Sequence, residues 1–187
     1  MRKVRCLIGV GAAVVLIAGV HCVAGEMGAG GTAGKGQKKA VALIESRSDS
    51  HVTGKATFRE ANGKVTLKLA IEGAEPGTHA VHLHEKGDCT APDGTSAGGH
   101  WNPTREDHGK WVAPPFHRGD IGNVEVGANG KGRLTLTTDL WTIGGAPETD
   151  VVGKAIIVHA KADDFTTQPT GNAGGRSGCG VVELAGK

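Results

Sequence analysis

Between residues 39 and 187 the apolar residues fall into eight short runs: 40–45, 54–59, 64–71, 80–84, 122–126, 132–137, 154–159 and 180–184. Each run alternates or is rich in β-branched residues and ends against turn formers, a pattern that suits strands and is too short for helices. Asn62-Gly63 joins two alternating runs as a hairpin turn does, and Asn129-Gly130 sits between two more. Tyrosine is absent and only three Phe and three Trp occur, so the core rests on Val, Ile, Leu and Ala. Neither an internal repeat nor an amphipathic helical stretch is present. The expectation is an all-β fold, an eight-stranded Greek-key β-barrel or sandwich. Its two long loops, 85–121 and 160–178, are of a length that usually carries function.

The start of the chain bears on its compartment. Arg2, Lys3 and Arg5 precede an almost wholly apolar stretch, 6–23, that ends before Ala24 and Gly25, so residues 1–25 read as a secretory signal peptide. A retained apolar anchor is one rival, although His21 interrupts the run. Lipidation at Cys22 is another, in the poor context of Gly19-Val20-His21. Residues 26–38 read as a flexible Gly- and Lys-rich linker and residues 39–187 as one domain. The chain is therefore expected to be exported, to a periplasm or the extracellular space.

Removing the leader takes three of the 21 basic residues and none of the 19 acidic ones, leaving 18 against 19, a net charge of −1. The basic pI of the whole chain is thus no argument for nucleic acid, and no nucleic-acid partner is expected. Cys6 and Cys22 leave as well. Cys89 and Cys179 remain, either as two thiols or as one disulfide, and an oxidising compartment favours the disulfide.

Six histidines and one aspartate, His82, His84, His100, His108, His117, Asp120 and His159, fall at spacings that two neighbouring metal ions require. All are nitrogen or hard oxygen donors with no thiolate among them, which suits copper with zinc rather than an iron–sulfur cluster or a four-cysteine zinc site. His82 and His84 stand at i and i+2 of an expected strand, so both project from one face while Val81 and Leu83 point into the core. His159 ends another apolar strand. His100, His108, His117 and Asp120 lie in the first long loop, which can fold around a second ion.

Six segments then carry a resemblance: Gly77-Thr78-His79-Ala80-Val81-His82-Leu83-His84-Glu85, Gly87-Asp88-Cys89-Thr90, Ser96-Ala97-Gly98-Gly99-His100-Trp101-Asn102-Pro103, His117-Arg118-Gly119-Asp120, Val158-His159-Ala160-Lys161-Ala162-Asp163-Asp164 and Gly171-Asn172-Ala173-Gly174-Gly175-Arg176. In order and separation they resemble the signatures of copper/zinc superoxide dismutases, over roughly residues 39–187.

The resemblance implies copper held by His82, His84 and His159, zinc held by His108, His117 and Asp120, and His100 bridging the two. It implies that Asp163 orients His82 and His108, that His79 bonds to backbone, and that Arg176 attracts an anionic substrate near copper. Cys89 and Cys179 are expected to form the family disulfide, which tethers the first long loop near Arg176. The expected activity is dismutation of superoxide to dioxygen and hydrogen peroxide, with Arg176 and His100 as catalytic residues.

A copper- or zinc-storage or delivery module of the same fold is the alternative, and it has no need of Arg176. His51 matches no motif and reads as a surface side chain. The second long loop is shorter and less charged than in many animal and plant relatives, as in exported bacterial members. A homodimer is left open, and membrane contact is expected only if the leader is retained or Cys22 is lipidated.

Overall fold

The computed structural model describes residues 37–186, so the leader and most of the linker lie outside the described residues. Its strands are β1 (Lys38–Ser46), β2 (Thr53–Ala61), β3 (Lys64–Glu72), β4 (Gly77–His84), β5 (Gly122–Val126), β6 (Gly132–Thr138), β7 (Ala155–His159), β8 (Arg176–Val181) and the two-residue β9 (Glu183–Leu184). β1 thus begins one residue inside the expected linker, within the usual scatter of element ends.

Pairing follows the order β2-β3-β6-β5-β4-β7-β8-β1-β9, and β1 also pairs with β2, which closes the first eight strands into an antiparallel barrel. β3 passes its neighbour position to β6 instead of β4, the crossing expected of a Greek key. The period-2 pattern sets the register. In β3 Val65, Leu67, Leu69 and Ile71 are buried while Lys64, Lys68, Ala70 and Glu72 are exposed. Ala40, Ala42 and Ile44 of β1 and Ala56 and Phe58 of β2 complete that wall of the core. The Asn62-Gly63 turn forms as expected, with φ of 52° and 73°, the left-handed pair that a two-residue hairpin demands. Asn129-Gly130 instead lies within a five-residue connection, 127–131, where Asn129 Oδ1 accepts the Lys131 N–H.

Two expectations need correction. The last strand begins at Arg176, four residues before the expected 180–184, and is interrupted at Val182 before β9. Gly178 made the start of this strand look like loop, but it and Gly180 serve close packing. A Cβ on Gly178 meets Ile44 Cγ2 at 2.8 Å, and one on Gly180 meets the Leu43 carbonyl oxygen at 2.5 Å. The second long loop therefore ends at residue 175. There is also a third long connection, 139–154, which the run pattern did not reveal because its apolar residues are not periodic. It is ordered by a parallel bridge between Thr142 and Asp150 and buries Trp141, Ile143 and Val151 in the core. Trp141 packs there with its ring 6.1 Å from that of Phe58.

Candidate metal centre

β4 and β7 pair with His82 opposite Ile157 and His84 opposite Ala155, so alternation puts His82, His84 and His159 on one face. The other face sends Val81 and Leu83 into the core. The first long loop then lays a short extra rung against β4. Trp101 N–H donates to the Leu83 carbonyl, Leu83 N–H to the Gly119 carbonyl, and Glu85 N–H to the Gly99 carbonyl. This pairs His84 with His100 across an antiparallel bridge and covers the outer face of the strand. The approach requires Gly119, because a Cβ there lies 2.2 Å from the Leu83 carbonyl oxygen.

Within the loop the Asp120 carboxylate is the point of convergence. Oδ2 accepts the backbone N–H of His117 at 2.7 Å and of Gly109 at 3.1 Å. Oδ1 lies 2.8 Å from His100 Nδ1 and 3.2 Å from His117 Nδ1, and His108 Nδ1 lies 3.1 Å from Oδ2. His117 Nδ1 and His100 Nδ1 are 3.4 Å apart. Zinc–nitrogen bonds of about 2.0–2.1 Å place tetrahedral neighbours about 3.3–3.4 Å from one another, close to two of these spacings.

The donors form two groups, His82, His84, His100 and His159, and His100, His108, His117 and Asp120, each with its donor atoms within 4.8 Å of one another. All seven residues are buried. Five imidazole nitrogens have no hydrogen-bond partner: His82 Nδ1, His84 Nε2, His100 Nε2, His108 Nδ1 and His159 Nε2. A buried unpartnered polar atom costs about 1–3 kcal/mol, so a cluster of five is untenable unless a cation fills it.

The opposite ring nitrogens are engaged. His82 Nε2–H donates to Asp163 Oδ2 and His108 Nε2–H to Asp163 Oδ1, both at 2.9 Å, so one carboxylate holds a ring from each group. His84 Nδ1–H donates to the Gly98 carbonyl at 2.9 Å, and His159 Nδ1 faces the Gly174 carbonyl at 3.4 Å. His100 alone turns one nitrogen toward each group.

The electrostatics separate the two groups. Burial, reinforced by neighbouring histidines, holds His84 and His159 well below the ordinary histidine value. Burial also lowers His100 to about 4, and lowers His82 against the pull of Asp163. This all-nitrogen group is therefore neutral near pH 7, with its lone pairs free to bind metal. In the other group burial lowers His108, but the adjacent Asp120 and Asp163 carboxylates outweigh it and raise it to about 9. Despite burial, the histidine hydrogen bonds keep Asp120 and Asp163 far below the usual carboxylate range.

These directions fix a pH response for the metal-stripped protein. His82, His84, His100 and His159, with folded values below the unfolded 6.5, contribute stability that is complete above that pH and is lost as acid protonates them; for His100 the loss runs down to about pH 4. His108, raised to about 9, opposes them, because its contribution is complete below 6.5 and fades as pH rises through 9. Between pH 6.5 and 4 the His108 contribution no longer changes, so the four lowered groups set the slope and the thermal midpoint is expected to fall across that interval. A midpoint that rises across that interval contradicts the assignment.

Arg176 opens β8 opposite His159 and is half-buried. Its Nη1–H donates to the Gly94 carbonyl and its Nη2–H to the Gly98 carbonyl, both at 2.7 Å, so Gly98 O receives both Arg176 and His84. The Cys89–Cys179 disulfide ties the same loop to β8. His79 spans the Glu75 and His159 carbonyls at 2.8 and 2.9 Å. His51 is exposed and stands outside the site.

All the other residues singled out from the sequence are thus brought together. Four supporting roles were missed, three of them because they act on backbone groups. Asn123 pairs its side-chain amide with both backbone groups of Asp163 at 2.8 and 3.0 Å, and Gln168 does the same for His108 at 2.8 Å. Arg47 donates to the Cys89 carbonyl through Nε and Nη2. Gly171, at φ 66°, leaves room that a Cβ would fill at 1.9 Å from Asp163 Oδ1.

Comparison with known proteins agrees with this geometry. The family model for copper/zinc superoxide dismutase (SODC) matches residues 52–182. A superoxide dismutase [Cu-Zn] of Caulobacter vibrioides is 39% identical over 149 residues, covering 77% of this chain and 85% of that protein. The crystal structure of the clock protein EA4 superposes with a TM-score of 0.70 at 36% identity, over 79% of this chain and 95% of that one.

Proposed function

The chain belongs to the copper/zinc superoxide dismutase family, and from that premise and the geometry above we propose a task for each residue of the site. The protein is an oxidoreductase that converts two superoxide anions and two protons into dioxygen and hydrogen peroxide, with copper and zinc as cofactors. The observation that carries the assignment is the set of five buried, unpartnered imidazole nitrogens aimed into two adjoining donor groups.

His82 Nδ1, His84 Nε2, His159 Nε2 and His100 Nε2 would hold copper; His108, His117, Asp120 and the Nδ1 of His100 would hold zinc. Copper, when bound, supplies the one-electron exchange with superoxide, and zinc, which has no redox chemistry of its own, supplies charge and order. Asp163 fixes the tautomers of His82 and His108, so that each presents a lone pair and not an N–H to its ion. His100 would carry a proton at Nε2 when that nitrogen is free, while Asp120 keeps its Nδ1 directed to the zinc side.

Arg176 supplies the fixed positive charge that draws in the anion. Its side chain is pinned by the Gly94 and Gly98 carbonyls, so little ordering remains when substrate arrives. A storage or delivery module has no use for that arrangement.

Arg176→Glu tests the reading directly. The catalytic rate constant kcat/KM at low salt is expected to fall by about 10-fold or more, with one copper and one zinc still bound per chain. Its salt dependence is expected to reverse, since screening weakens attraction in the wild type and repulsion in the variant. Unchanged activity at low and high salt removes Arg176 from the mechanism.

Export accords with the disulfide, which persists in oxidising compartments. The boundaries of leader, linker and domain at residues 25 and 38 belong to the same reading, as do a periplasmic or extracellular location, a homodimer and the lack of a nucleic-acid partner. Membrane attachment through the leader belongs to it only where the leader is kept or Cys22 is acylated.

A further inference from the structure

The outer face of β1, β2, β3 and β6 bears a grid of cations. Cross-strand register aligns Lys39 with Arg59 and Thr66, Thr57 with Lys68 and Thr135, and Lys55 with Ala70 and Arg133; Lys64 stands beyond them opposite Ala61. Lys39 is partly exposed and the other five cations are exposed. None of the six forms an ion pair with a described carboxylate: among the described residues the Lys and Arg ion pairs are Lys38–Glu60, Arg47–Glu45 and Lys131–Glu72. On these four strands the acids of the face are Glu45 and Glu72, at the end where Glu72 pairs with Thr53, and Glu183 of β9 borders the face opposite Val41. Strand spacing and rise spread the six cations over about 14 by 20 Å.

The rest of the molecule has the opposite sign. With Arg2, Lys3, Arg5, Lys35, Lys187 and Glu26 set aside, residues 37–186 hold 16 of the 21 basic and 18 of the 19 acidic residues. Six of those cations and two of those acids lie on this face, leaving 10 cations against 16 acids elsewhere. In the closed barrel β2 and β3 stand three or four places from β4 and β7, which carry the copper donors.

We propose that this face docks the enzyme on an anionic phospholipid surface, with the metal centre turned toward the aqueous phase. A planar sheet of negative charge attracts the cationic face and repels the net-negative remainder, so it both binds and orients the molecule. The interspersed Thr53, Thr57, Thr66, Thr135 and Thr137 put short polar side chains between the cations, where acids would cancel the field. The chain outside the described residues joins at the start of β1, next to Lys39 on this face, and its residues 6–23 are almost wholly apolar. A lipid-held N-terminus would therefore enter beside the face, and the face needs no such tether to bind.

The test is co-sedimentation of the metal-loaded full chain with vesicles of phosphatidylcholine containing about one third phosphatidylglycerol, against phosphatidylcholine alone, at low and high salt. Wild type is expected to favour the anionic vesicles by about 10-fold or more, and the preference is expected to vanish at high salt. Lys55→Glu/Arg59→Glu/Lys68→Glu should abolish the preference and keep full dismutase activity and the wild-type thermal midpoint. Lys55→Gln/Lys68→Gln/Arg133→Gln should reduce it without adding negative charge. Equal preference in wild type and variants overturns the proposal. So does wild-type binding to a sulfated polysaccharide with none to the anionic vesicles, which assigns the face to a polyanionic chain.

Discussion

His159→Ala is expected to abolish superoxide dismutation while zinc stays bound. His159 is the one residue of β7 assigned to copper, and its Nε2 is buried with no other partner. The zinc group shares only His100 with the copper group, so His108, His117 and Asp120 keep their positions. The carbonyl of His159, which receives the His79 ring, survives the substitution because it is backbone. Loss of activity and of copper affinity should exceed about 100-fold, since changes one shell further out already cost 10- to 100-fold. Metal analysis beside a superoxide-decay assay reads both effects. Near-normal activity removes His159 from the copper group, and joint loss of both metals shows that the two groups are not separable.

Asp163→Asn should weaken both metals at once, although Asp163 is placed in neither donor group. Its two oxygens accept Nε2–H from His82 and from His108, and Oδ1 also accepts the Phe165 backbone N–H at 2.7 Å. An amide has one acceptor oxygen and sets its own N–H groups against the second ring. That imidazole must then change tautomer and turn an N–H toward its ion. A fall of about 10- to 100-fold in affinity is expected for copper and for zinc, measured by chelator competition. A loop acid with no orienting role leaves both affinities unchanged, which would falsify the assignment.

The strands and the donor residues were legible for the same reason: each is written in local periodicity. Val65, Leu67, Leu69 and Ile71 announce an inward face, and His82 and His84 announce an outward one on a strand whose other face is Val81 and Leu83. Where periodicity gave out, the reading did too. Trp141, Ile143 and Val151 are core residues on an irregular connection, and their burial depends on a fold that no short window contains. Gly178 was read as loop because a glycine demanded by a neighbouring strand looks the same in sequence as one demanded by a turn. Asn123, Gln168 and Arg47 hold backbone groups of Asp163, His108 and Cys89, and a hydrogen bond to backbone leaves no mark on the identity of its partner. Those partners lie 40 to 60 residues away.

The pairing of β1 with β8 has a consequence for how the molecule is made. Glu45 meets Cys179 and Ala40 meets Leu184, so the first strand to be synthesised is sealed by the last. Contacts of such long range are costly to close and slow to form. Until the C-terminal residues arrive, β1 exposes the unpaired backbone edge that recruits other chains into aggregates. A nascent copy is therefore at greatest risk just before completion, and truncations of even the last ten residues should show up first as insolubility, ahead of any loss of metal.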